Sequence, residues 1–167
     1  MVEILAAESK DAKEILKLQI LAYQSEAKLY NDWSLPALTQ TLDSLYQEFE
    51  DSVILKAIIN NQIVGSVRAK VDNDVCKIGR LIVDPEFQKK GIGTALLKHI
   101  EQMHENTTSF ELFTGSKSVS NIQLYEKNGY VKSHTKDLSE SVSLLFLVKP
   151  NKNLSYILKI TSFYVSS

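Results

Sequence analysis

The sequence predicts an α/β (α+β) fold, a single domain with a central mixed, mostly antiparallel sheet and helices on both faces. Three observations predict it. Apolar segments separated by asparagine- and aspartate-rich turns fill residues 52–83, as in antiparallel hairpins. Segments with apolar residues at helical spacing lie before and after that block. The resulting order, β-α-α-β-β-β-α-β-α-β-β, mixes hairpins with strand–helix alternation, which suits a sheet covered on both sides.

Each element has its own signal. Residues 2–6 are short and apolar and predict a first strand. Residues 11–23 carry Ala12, Ile15, Leu16, Leu18 and Ala22 at helical spacing, with Ser9 or Asp11 as N-cap. Residues 26–33 are polar and aromatic and read as irregular. Ser34-Leu35-Pro36 is a cap followed by an early-helix proline. It opens a helix to about residue 50 with Leu38, Leu42, Leu45 and Phe49 on one face. Strands follow over 52–59, 62–71 and 75–83, joined at Asn60-Asn61 and Asp72-Asn73-Asp74. Asparagine tolerates the positive φ such turns require. A helix begins after Gly91, a strand covers 108–114, and a helix over 119–128 ends at Gly129, a good C′ residue. Two further strands, 130–136 and 142–149, complete the domain, assigned to residues 1–149.

Residues 150–167 stand apart as a C-terminal extension. Leu154, Tyr156, Leu158 and Ile160 alternate on one face, and Phe163 and Val165 follow after a one-residue phase slip. Such a segment is either a tail or an added strand, on its own sheet or across a homodimer.

Composition narrows the function. The 167 residues are 44% hydrophobic and 23% charged with formal net charge −1, so no global basic field recruits nucleic acid or an anionic membrane. Cys76 is the only cysteine, which excludes an internal disulfide and agrees with a reducing cytoplasm. The first residues lack a basic stretch followed by an apolar core, so no secretion signal is expected. No apolar run reaches membrane-span length. His99, His104 and His134 show no metal-ligand spacing with one another or with Cys76, so no metal site is expected.

The most informative stretch is residues 78–98. Leu81, Ile82 and Val83 end an apolar run that Asp84-Pro85 stops. Ile92, Ala95, Leu96, Ile100 and Met103 then recur with helical period. Gln88, Lys89, Lys90, Gly91, Ile92, Gly93 and Thr94 therefore lie where free N–H groups converge on a helix N-terminus, a geometry that attracts phosphates. Gly91 and Gly93 permit positive φ and close backbone approach, and the two lysines add positive charge. A nucleotide P-loop is excluded, because Gly91 is followed by Ile-Gly rather than Lys-Ser/Thr.

Gln88-Lys-Lys-Gly91-Ile-Gly93 resembles the acyl-CoA-binding signature Arg/Gln-x-x-Gly-x-Gly/Ala of the GCN5-related N-acetyltransferases (GNAT). Leu124-Tyr125-Glu-Lys-Asn-Gly129-Tyr130 resembles that family's later Leu-Tyr-x-x-x-Gly-Phe/Tyr motif. The likeness in element order covers roughly residues 1–149. It implies a GNAT-like domain that moves an acetyl group from acetyl-CoA (coenzyme A) directly to an amine in a ternary complex. The acceptor is left open between a small molecule and a protein amine. By the same resemblance, the main chain of Leu81, Ile82 and Val83 pairs with pantetheine, an N–H of that stretch meets the thioester oxygen, and residues 88–94 take the pyrophosphate.

The resemblance also assigns chemistry. Tyr125 matches the general acid that reprotonates the departing thiolate, and packing on the sheet is the alternative. Asn121, one turn before Tyr125, either touches the cofactor or caps the helix. Ser118 occupies the position where relatives carry an asparagine. Glu111 is the candidate general base, or else an outward strand residue. Arg80 is expected either to bind an acidic group on the acceptor or to pair with Glu111, and Arg68 on the preceding strand is a similar case. Acceptor binding is expected from the loop with Glu26, Tyr30 and Trp33. A CoA-binding module without turnover is the rival reading, and a usable base near Tyr125 separates the two.

Overall fold

The computed structural model describes residues 1–154. Its strands are β1 (Glu3–Ala6), β2 (Val53–Ile59), β3 (Gln62–Asp72), β4 (Val75–Val83), β5 (Ser109–Gly115), β6 (Val131–Asp137) and β7 (Ser143–Pro150). They form one seven-stranded sheet in the order β1-β2-β3-β4-β5-β7-β6. Every pairing is antiparallel except β4 with β5. The two hairpins turn where the sequence predicts them. Asn60 and Asn61 have φ of 49° and 63°, and Asn73 and Asp74 have 49° and 62°. Both central residues of each turn are left-handed, as the right-handed strand twist requires of a two-residue loop.

The helices are α1 (Ala12–Ala22), α2 (Gln24–Tyr30), α3 (Pro36–Thr39), α4 (Leu42–Asp51), α5 (Ile92–Met103) and α6 (Val119–Lys127). On one face, Ala12, Ile15 and Leu18 of α1 and Leu45 of α4 pack on Ile54, Ile63 and Ile82. On the other, Ile92, Leu96, Leu97 and Ile100 of α5, with Tyr125 of α6, pack on Leu55, Val67, Cys76, Ile78, Phe110 and Leu112. Each fully buried aliphatic side chain contributes about 1.5–3 kcal/mol, against a few tenths for a typical difference in helix propensity. The apolar stripes therefore fix how the helices sit.

Two expectations are corrected. Residues expected to be irregular form α2, closed at Asn31 in the left-handed conformation (φ 49°). The helix expected from Pro36 to about residue 50 is two helices. Gln40 is extended (ψ 132°), and the Thr41 hydroxyl accepts from the Ser44 N–H to start α4 afresh. Tertiary hydrogen bonds of the Gln40 side chain, described below, offset the broken turn. The sheet also runs past residue 149, since Pro150 ends β7. Asn151 is buried, and its amide donates to the Glu105 and Thr107 carbonyls at 2.7 and 2.8 Å. The alternating segment to Val165 lies outside the described residues, Leu154 aside, and with it the expected added strand or dimer contact. No helix among the described residues is long and apolar enough to cross a membrane. Cys76 is fully buried and its thiol is pushed up to about 12, first by burial and then by the charge of Glu101.

α2 is clamped to the end of β5. Tyr30 is buried, and its hydroxyl accepts from the Lys117 N–H at 2.7 Å. A Cβ on Gly115 would lie 2.2 Å from that hydroxyl oxygen, so the site admits only glycine while α2 is docked. Gly115→Ala is therefore expected to cost about 1–3 kcal/mol through overpacking. A urea unfolding curve checks it, and an unchanged midpoint contradicts the clamp.

Candidate active site

The site begins as a gap in the sheet. β4 pairs with β5 only over Val75–Ser109, Cys76–Phe110 and Lys77–Glu111. Beyond Lys77 the strands part. β4 continues to Val83 with β3 as its partner, and β5 continues to Gly115 with β7 as its partner. Among the described residues, no strand pairs with the β5-facing edge of β4 from Ile78 to Val83. Unpaired backbone groups need partners, so this edge is ready to hydrogen-bond an extended ligand.

A β-bulge shapes the same stretch. Ser66 pairs with Ile82 and Arg68 with Gly79, which leaves Arg80 and Leu81 opposite Val67 alone. Arg80 absorbs the extra residue with φ of 50°. The bulge shifts the side-chain alternation by one. Cys76 and Ile78 face α5 before it, and Leu81 and Val83 face α5 after it, while Ile82 is turned toward α1 and α4.

The gap leads to the start of α5. Lys89 is left-handed (φ 61°), as is Gly91 (φ 80°) at the N-cap. No side chain caps α5. The first bond one turn back is from the Ala95 N–H to the Gly91 carbonyl at 3.0 Å, so the N–H groups of Ile92, Gly93 and Thr94 have no helical acceptor. They form a positive concavity that suits phosphate oxygens. Lys90 folds back over the Phe87 ring, 5.1 Å from its centroid, and Gln88 donates to the Val83 carbonyl at 3.3 Å. Lys89 is exposed. Of the two glycines only Gly91 has the positive φ expected of both. Gly93 is helical, and a Cβ there would meet Leu124 at an ordinary 3.4 Å.

α6 supplies the tyrosine. Tyr125 is buried, and its phenol is pushed well above the ordinary value by burial first, with Tyr23 and Glu26 adding to it. Glu26 is held by the Ser118 hydroxyl, which donates to it at 2.5 Å. Ser118 sits at the N-cap of α6 without capping it, because its hydroxyl is spent on Glu26. Asn121 reaches back to the Thr114 hydroxyl at 3.4 Å. The structure thus brings Tyr125, Glu26, Ser118 and Tyr23 into one neighbourhood.

Arg80 adjoins it on the α1 side, with its guanidinium 5.8 Å from the centre of the Tyr23 ring. Beneath it lies a buried polar network that sequence reasoning missed. Arg68, only 5% exposed, donates to Gln19, Gln40 and Glu48. Gln19 donates onward to the Ala37 carbonyl at 2.8 Å and to Gln40 at 3.0 Å. The only sequence clue is Gln19, a polar residue on the apolar stripe of α1.

Other predicted residues lie elsewhere. Glu111 pairs with Lys77 at the closed end of the gap. Phe110 and Leu112 on either side of it face α5 and Tyr125, so strand alternation turns Glu111 to the opposite face. The structure does not bring Glu111 and Tyr125 together, and it shows no ion pair between Arg80 and Glu111 among the described residues. Trp33 is exposed. Tyr30 is occupied by the α2 clamp. Asn128 was not singled out from sequence, yet it donates to the Thr94 hydroxyl at 3.5 Å and so ties α6 to the first turn of α5.

Comparison with known proteins agrees with this architecture. The UPF0157 protein YqkA of Bacillus subtilis (strain 168) is 28% identical over 160 residues, covering 95% of this chain and 46% of its own length. The chain thus spans about half of that relative. The S-(2-succino)cysteine N-acetyltransferase of the same organism is 27% identical over 154 residues, covering 86% of this chain and 92% of that one. Among solved structures, the PaiA N-acetyltransferase of Thermoplasma acidophilum, in complex with coenzyme A, superposes with a TM-score of 0.73 at 18% identity, covering 90% and 99% of the two chains. The ribosomal-protein-S18-alanine N-acetyltransferase of Escherichia coli gives 0.74 at 18% identity, covering 90% and 94%. These last two share the fold. A model of the acetyltransferase (GNAT) family matches residues 14–130, and the chain belongs to that family.

Proposed function

We propose that the protein is an N-acetyltransferase that moves an acetyl group from acetyl-CoA to a primary amine by direct transfer in a ternary complex. The observation that carries this reading is the unpaired edge of β4 running into the uncapped N-terminus of α5. Acetyl-CoA has the matching parts. Its pantetheine arm carries amides for a strand edge, its pyrophosphate suits the N–H groups of Ile92, Gly93 and Thr94, and its thioester supplies the activated acetyl group. Lys89, exposed beside those N–H groups, adds charge for the phosphates. Asp84 gives its N–H to the Val64 carbonyl of β3, so by strand alternation the Val83 N–H lies on the open edge, where it can meet the oxygen charge that develops during transfer.

Proton movements fall to two side chains. The amine must reach the thioester unprotonated. Glu26 is the carboxylate whose charge acts on Tyr125, and it takes the amine proton directly or through water. Nitrogen then bonds to the acetyl carbon as the carbon–sulfur bond breaks, sulfur receives the Tyr125 proton, and the second proton shed by the new amide nitrogen restores the Tyr125 phenol through water. A phenol held above its ordinary value stays protonated at neutral pH. Such a weak acid releases its proton late, after hydrogen bonding to sulfur as negative charge accumulates there. A usable base beside Tyr125 favours turnover over a CoA-binding module without chemistry. Glu26 takes this part in place of Glu111, which faces away.

Three outcomes test the reading. Gly91→Val puts a β-branched residue at φ 80° and should abolish acetyl-CoA binding by calorimetry. Wild-type affinity in a folded variant contradicts the loop assignment. Tyr125→Phe should lower kcat roughly a hundred- to ten-thousand-fold with coenzyme A binding little changed. Because its phenol is raised above about 10, wild-type kcat should show no falling limb below that pH. A limb near pH 8 that vanishes in Tyr125→Phe sinks the late-donor role. Glu26→Gln should lower kcat roughly a hundred- to ten-thousand-fold with coenzyme A binding little changed. An unchanged kcat, with chemistry shown to be rate-limiting, excludes it as the base.

A further inference from the structure

Among the described residues Arg80 has no counter-ion. It is half-buried and, among the described residues, enters no ion pair. Its one contact of note is the Tyr23 ring at 5.8 Å. The backbone holds it in a conformation that is uncommon for a side-chain-bearing residue, φ 50°. Glycine would take that φ without strain, so packing does not explain an arginine there. An outlier of this kind points toward a function for the side chain.

Arg68 strengthens the case. It is one of the most buried charges in the molecule, and Glu48 balances it from a position 37% exposed. Burial, chiefly, and the nearby charge of Arg80 lower its pKa, while Glu48 and Tyr23 act the other way. The two guanidinium charges therefore act on each other, and Glu48 pairs with Arg68 alone. Arg68 also keeps a buried Nε–H with no hydrogen-bond acceptor. An unmet buried donor is unfavourable until something accepts from it. One positive charge is left over, together with an unused donor, beside Tyr23. Tyr23 is in turn the neighbour of Tyr125 and, like Glu26, acts on its phenol.

We infer that the acceptor is a small amine that carries a carboxylate within a few bonds of the reacting nitrogen, and that Arg80 binds this carboxylate with Arg68 behind it. This rests on the N-acetyltransferase reading and deepens it. The planar guanidinium fork matches a carboxylate bidentately. Tyr23 spaces the anion subsite from Tyr125, so an anchored carboxylate orients the amine toward the reacting carbon. Polyamines and other purely cationic amines meet an uncompensated like charge at Arg80 and bind poorly. A polypeptide N-terminus has no carboxylate next to its amine and is disfavoured too.

The test uses matched acceptor pairs that differ only by the carboxylate: phenylalanine and phenethylamine, tyrosine and tyramine, lysine and cadaverine. Free thiol release from acetyl-CoA is followed for each. The expected result is a kcat/KM at least about ten-fold higher for the carboxylate member of a pair that turns over. Arg80→Gln should remove roughly ten- to a hundred-fold of it, mostly in KM for the acceptor, with KM for acetyl-CoA unchanged. Arg80→Gly, which relaxes the bulge, should behave like Arg80→Gln and separate charge from backbone. Equal or reversed preference in the wild type overturns the carboxylate subsite and leaves the N-acetyltransferase reading standing. Thiol release that no amine of the panel raises above the amine-free rate, from protein shown by calorimetry to bind acetyl-CoA, overturns both. The wild-type ratios decide the matter even where a variant fails to fold.

Discussion

The short parallel ladder between β4 and β5 is the constraint on which the rest of the molecule depends. Three residue pairs join these strands, and each strand is then held by a different neighbour. The β3 hairpin steers β4, and β7 steers β5. Neither strand can turn back to close the gap without giving up a longer antiparallel ladder. The opening is thus enforced by hydrogen bonds elsewhere in the sheet and requires no empty space in the core. Burial of α5 against both strands fixes the floor of the opening and sets the helix N-terminus at its end.

The bulge at Arg80 follows from the same arrangement. β4 must present Ile78 to α5 before the gap and Leu81 and Val83 to α5 beside it, and no regular strand does both. The extra residue reconciles the two halves. It also turns Arg80 toward α1, where Tyr23 and the Arg68 network lie. The break between α3 and α4 belongs to this network, since Gln40 leaves helical geometry where its amide bonds Gln19, Arg68 and Glu48. The α3–α4 break thus originates in the hydrogen bonding of a buried guanidinium, and the bulge in the packing of β4 on α5.

Much of this architecture was legible in the sequence, for physical reasons that differ by element. The hairpins were read from Asn60-Asn61 and Asn73-Asp74 because few side chains tolerate positive φ at both turn positions. The start of α5 was read from Gly91, since glycine and helical periodicity meet there. What escaped were features set by distant partners. α2 was hidden because Glu26 and Tyr30 serve contacts with Ser118 and Lys117, some ninety residues on. The Gln40 break was hidden because its cause lies on β3. Glu111 was misplaced as a base because a strand charge does not announce its face until its neighbours Phe110 and Leu112 are located. The bulge at Arg80 leaves no mark in composition or periodicity.

The position of Cys76 has a chemical consequence of its own. An acyl group on sulfur passes readily to another thiolate, and a free thiol product exchanges readily with disulfides. A protein that handles thioesters is therefore exposed to acylation and mixed-disulfide formation at its own cysteines. Here the single cysteine faces the α5 core with no exposed surface and a thiol at about 12, so on the order of one molecule in a hundred thousand carries the thiolate at neutral pH. The protein is inert toward the reactive sulfur chemistry of its proposed substrate, and thiol reagents added to follow that chemistry will report on the product and not on the protein.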